Sequence, residues 1–149
     1  MTPPHAIDIE DLTLAFGERT VLDGFSLHVR QGETVILAGP SGSGKSSLLA
    51  CLLGFLSPVS GRIAIRNESL GPKSVWRLRR HMALVQQEPD LGESTVLNWI
   101  EEPFTFRANE ALRGNLSRLP DLLRRLRLND SILSQTGPHL SGGEKQRVA

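Results

Sequence analysis

The 149-residue chain predicts an α/β fold: an N-terminal antiparallel β subdomain, a mixed or parallel core sheet, and a helical subdomain toward the C-terminus. Three observations carry this. Apolar residues alternate through the first 30 positions, a continuous apolar run then leads through a Gly-rich loop into a helix, and strand and helix signals take turns thereafter. The length suits one domain, read here as 1–94 for the β subdomain and core and 95–149 for the helical part.

The first strand is IDIEDLTLAF, with Ile7, Ile9, Leu12 and Leu14 on its apolar face, and after a Gly-Glu turn VLDGFSLHV makes its antiparallel partner. TVILAG is apolar throughout, the pattern of a strand buried on both faces. It enters the Gly-rich loop, and a helix of about ten residues starts near Lys45. Beyond the SPVSG turn, RIAIR reads as a strand, VWRLRR as a short helix and MALVQ as another strand. From Thr95 onward VLNWIEEPF, ANEALRGNL and LPDLLRRLRL have helical spacing, punctuated by Pro103, Gly114 and Pro120. In LRRLRL the arginines interleave with leucines, which reads as a solvated helix face.

Composition narrows the function. Apolar residues are 39% of the chain and charged residues 22%, the balance of a soluble globular protein. A net charge of +1 supplies no basic excess for a phosphate backbone, so nucleic acid is not an expected partner. The single cysteine, Cys51 in LLACLLGFL, builds neither a disulfide nor a thiolate metal site and reads as a buried small hydrophobe, in keeping with a reducing cytoplasm. The N-terminus has no signal-peptide pattern, and the run Leu48–Leu56 is too short for a membrane span. Any membrane role then comes through a partner.

Gly39, Pro40, Ser41, Gly42, Ser43, Gly44, Lys45 and Ser46 match the phosphate-binding P-loop pattern, in the strand-to-helix context it requires. Its glycines let backbone N–H groups approach phosphate oxygens, and the following helix adds its positive end. Lys45 is expected between the β- and γ-phosphates, the Ser46 hydroxyl on Mg²⁺, and Ser47 in a helix-capping role. ATP and Mg²⁺ are the implied cofactors.

LSGGEKQRVA, Leu140–Ala149, resembles the signature of the ATP-binding cassette (ABC) family, with Glu144 in place of the usual Gln. Ser141 and Glu144 have capping-box spacing, and Gly142 and Gly143 leave the first-turn amides open to an anion. The resemblance implies a P-loop NTPase fold of ABC type, in which Ser141, Gly142, Gly143 and Glu144 face the nucleotide of a second cassette in a head-to-tail dimer. It also implies that Gln87, with Gln86 as the competing assignment, is the Q-loop residue that senses Mg²⁺ and the attacking water. Phe16 takes the place of the adenine-stacking aromatic, where the family more often has Tyr; core packing is the other reading. Trp99, Phe104 and Phe106 fall on the segment that receives a membrane partner in the family, or else in the subdomain core.

The family completes its site after the signature, with an apolar strand ending in Asp-Glu and a later His. No such strand occurs in the sequence, and none of His5, His28, His81 or His139 stands in the right order. The resemblance thus implies a domain lacking its C-terminal part, unable by itself to turn over ATP. The implied role is the ATP-binding subunit of a transporter, on the inner face of a bacterial membrane through a permease subunit, with iron export the most similar type. The alternatives are a soluble ABC ATPase and a non-catalytic nucleotide-binding fragment.

Overall fold

The computed structural model describes residues 5–149, and the chain divides into two units, Met1–Ala83 and Leu84–Ala149. The first is built on a sheet of order β2-β1-β3-β4, antiparallel throughout. Its strands are β1 (His5–Phe16), β2 (Arg19–Arg30), β3 (Ser60–Ile65) and β4 (Glu68–Ser69). The expected N-terminal pair is therefore present, and RIAIR joins it on the other side of β1.

The apolar face of β1 steps from Ile9 to Leu12, three residues rather than two, because a register shift falls between them. Asp11 sits at that shift with φ 45°, and its amide is held by the Ser26 hydroxyl at 2.9 Å. Such a bulge lets Ile9, Leu12 and Leu14 share one buried face although strict alternation would separate them. Gly61 of β3 lies against the bulge: a Cβ there would stand 2.5 Å from the Asp11 carbonyl oxygen, which no side chain tolerates.

On this face lies α1 (Lys45–Leu52), whose Leu48, Cys51 and Leu52 follow helical spacing into the core with Ile63 and Ile65. A second short helix, α2 (Val75–Arg79), adds Leu78 to the same cluster. Burial pushes the Cys51 thiol above its ordinary value, as expected for an inert core cysteine.

Two expectations fail. Thr34–Gly39 and Met82–Gln86 are not strands, and no parallel ladder exists among the described residues. Ile36 is 86% exposed, and Leu84 and Val85 are exposed as well. The physical reason is the absence of a neighbour: an extended segment becomes a strand only when another supplies ladder partners, and these two runs have none among the described residues.

The second unit contains α3 (Val96–Glu101), α4 (Leu119–Arg125) and α5 (Gly142–Val148), joined by 3₁₀ turns. Its core gathers Leu91, Val96, Leu123, Leu128, Ile132 and Leu140, with Trp99 packed against them. Thr95 caps α3 by accepting the Asn98 amide at 3.3 Å. The segment Arg107–Arg118, expected as a helix of ordinary pitch, is 3₁₀ instead and buries none of its residues, so no packed face selects the α form. In α4 only Leu123 is buried and the arginines are solvated, as their spacing implied.

Candidate functional site

Gly39–Ser46 runs from an extended segment into the first turn of α1, so the loop and the helix start form one backbone surface. The N-cap is Gly44, in the left-handed region at φ 92°. A Cβ at Gly44 would lie 2.8 Å from Val21 of β2, so conformation and space both require glycine. No side chain caps α1: its N-cap residue, Gly44, has none, and Ser47, expected to help, makes no cap hydrogen bond.

At the start of α1 the amides of Gly44, Lys45, Ser46 and Ser47 donate to no acceptor among the described residues, while the Leu48 amide donates to the Gly44 carbonyl at 2.8 Å. These are the orphan donors of a helix start, gathered on consecutive residues where the loop enters α1. The Lys45 ammonium folds back over the loop, donating to the Gly39 carbonyl at 2.9 Å and the Pro40 carbonyl at 2.8 Å, with the Ser43 hydroxyl at 3.4 Å. Its charge is thus stored at the loop's own rim. A set of open amides beside an ammonium can hold a polyanion, and the residues present fit a phosphate chain.

A second cation reaches the loop, one that sequence reasoning passed over. Arg19 pairs with Phe16 across the β1–β2 turn, and its guanidinium would lie 3.8 Å from a Cβ on Gly42. The hairpin therefore brings Phe16, Arg19 and the loop into one region of the first unit. Phe16 is 49% exposed and is not among the residues of the core cluster. The only signal for Arg19 in the sequence is its place directly after the tight turn that follows Phe16.

In the second unit, Ser141 and Glu144 form a complete capping box at the start of α5. The Glu144 carboxylate accepts from the Ser141 hydroxyl at 2.6 Å and the Ser141 amide at 2.9 Å, and the Glu144 amide donates to the hydroxyl at 3.3 Å. Hydrogen bonds from the Ser141 hydroxyl and then its amide, with Arg147 adding charge, hold the Glu144 carboxyl below its ordinary value. Gln87 and Gly142 border one open depression with Lys145 and Gln146. Its backbone is fixed there by the Gln146 side chain, which donates to the Gln87 carbonyl at 2.9 Å. This tie was not foreseen; it depends on α5 folding back onto the Gln87 segment, 59 residues earlier in sequence. Trp99 belongs to the core of this unit, whereas Phe106 is exposed.

With this geometry in hand, comparison with known proteins is decisive about the family. The ABC transporter family model matches residues 22–149. The chain is 36% identical to the energy-coupling factor transporter ATP-binding protein EcfA1 of Bacillus subtilis, over all of this chain and 54% of the relative. Among solved structures it is similar to cbiO1 from Clostridium perfringens, part of the ABC transporter complex cbiONQ, with TM-score 0.79 and 25% identity over 97% of this chain and 59% of the other. It is also similar to a dimeric ATP-binding cassette in a post-hydrolysis state bound to ADP and Pi, with TM-score 0.76 and 29% identity over 95% of this chain and 66% of the other. The chain thus spans about half the length of the first curated relative. With a family model matching residues 22–149, most of its length, the chain belongs to the ABC transporter family.

Proposed function

We propose that the protein is the ATP-binding part of a transporter, which binds ATP with Mg²⁺ and works through a membrane permease partner and a second cassette. The observation that carries this reading is the phosphate loop at the start of α1, with four open amides beside Lys45. On binding, Lys45 exchanges the Gly39 and Pro40 carbonyls for phosphate oxygens, a stronger charge-assisted pairing. Ser46, the next residue of the same turn, supplies a hydroxyl for Mg²⁺. The nucleotide contributes the phosphoryl group and the ion its charge neutralisation.

Phe16 fits the adenine role through its exposed ring on the hairpin that carries Arg19. Gly142 and Gly143, after the Ser141 cap, fit recognition of a nucleotide held by another copy. The relatives named above support the partner classes: one is part of a transporter complex, and one is dimeric. None of the three is named for iron export. Among the described residues no helix is long and apolar enough to cross a membrane.

Titration of the chain with a fluorescent ATP analogue in the presence of Mg²⁺ tests the reading. Lys45→Ala is expected to weaken binding at least about tenfold, the loss of one strong charge-assisted contact. Equal affinity for the variant and the parent chain would sink the assignment of this loop.

A further inference from the structure

The four histidines have no part in the site above, yet two of them meet. On the solvent face of the β1–β2 hairpin, Asp8 stands directly opposite His28 in the strand register, and its Oδ1 is in hydrogen-bond contact with His28 Nδ1. His5 lies three residues before Asp8, where strict alternation would send it to the other face of the sheet. A register shift between His5 and Ile7 turns it back, and its Nδ1 comes to 3.7 Å from the same Oδ1. The two imidazole rings stack, with centroids 5.2 Å apart and planes 28° apart. A bulge that re-aims one side chain onto a neighbouring pair builds a convergence that strand geometry alone does not supply.

The donor atoms of all three residues lie within 4.8 Å of one another. Two ligands at tetrahedral zinc positions are about 3.4 Å apart, so the cluster needs only small side-chain rotations to close on an ion. One cation stands beside the cluster, with a closer acidic partner of its own. Arg62 reaches the other carboxylate oxygen, Oδ2, at 3.6 Å, but its closer partner is Glu10 at 2.7 Å. Asp8 is 19% exposed and the histidines 32% and 51%, so an ion has access from solvent and room for water ligands.

We propose that His5, Asp8 and His28 form a binding site for a divalent transition-metal ion of the zinc class. Two imidazole nitrogens and one carboxylate oxygen favour a borderline ion of this kind over the hard, oxygen-seeking Mg²⁺ of the phosphate loop. Once bound, the ion joins the start of β1 to the end of β2, on an edge strand of the sheet.

Calorimetric titration of ZnCl₂ into the full chain, in excess MgCl₂ to mask oxygen-only sites, tests the proposal. One equivalent is expected to bind, with affinity lowered about tenfold or more in His28→Ala and in Asp8→Asn, and unchanged in His81→Ala. Because Asp8→Asn keeps shape and hydrogen bonding, it separates ligation from folding. The Co²⁺ complex of the parent chain should show a visible spectrum that His28→Ala changes. Absence of zinc binding, binding that both variants leave intact, or loss in His28→Ala without loss in Asp8→Asn overturns the three-ligand site.

Discussion

Gly44 carries two demands at once, a left-handed φ of 92° and a Cβ position 2.8 Å from Val21. Gly44→Ala is expected to destabilise the chain by about 1–3 kcal/mol, read as a lower urea midpoint, and to reduce nucleotide affinity with it. At the other motif, Ser141→Ala removes the hydroxyl that caps α5 and should cost about 1 kcal/mol in the same assay. Glu144 sets the pH dependence of that cap. Its folded-state value lies below its unfolded value, so its contribution is complete above the ordinary carboxylate range and is lost as pH falls through the depressed folded value. Helicity near α5 should therefore fray on acidification below the ordinary Glu range, and Glu144→Gln should remove that pH dependence. Cys51, buried and with its thiol pushed up, is expected to react with a thiol reagent only as the chain unfolds. The lysine, the capping box and the buried cysteine were legible in the sequence because each depends on residue type and short spacing. Arg19 and Gln146 were not, because each acts through a contact that only folding creates.

At the scale of elements, periodicity located β1, β2, β3, α1 and α2, and the SPVSG turn before β3. The bulge at Asp11 had a trace in the sequence, the three-residue step from Ile9 to Leu12, although alternation alone did not assign it. The apolar runs at Thr34–Gly39 and Met82–Gln86 carry strong strand signals and do not become strands. Their propensity is genuine, but a ladder needs a neighbour. Ile36 consequently presents a large apolar surface to solvent, at 86% exposure. Ile36→Lys is expected to lower self-association in sedimentation or light scattering while leaving the melting temperature nearly unchanged, because little burial is lost. A clear drop in melting temperature would mean that Ile36 is packed in solution. The Arg107–Arg118 stretch teaches the converse lesson: helical spacing without a surface to pack on does not settle the pitch.

For the molecule as a whole, the family and the phosphate loop together argue for nucleotide binding. The chain should bind ATP more tightly with Mg²⁺ than in excess chelator, read by equilibrium titration. What the sequence determined by itself was whatever follows from local chemistry: the phosphate loop, the capping box, the strand and helix periods, and through two spaced motifs the family. Tertiary structure alone decided which apolar runs found ladder partners, that Arg19 stands by the loop, and that His5 is turned onto the face of Asp8 and His28. The reason is physical. A loop's amides and a helix cap are set by neighbours along the chain, whereas a ladder, a second cation or a cluster of ligands depends on groups brought together across space, and on a one-residue shift that sequence spacing does not record.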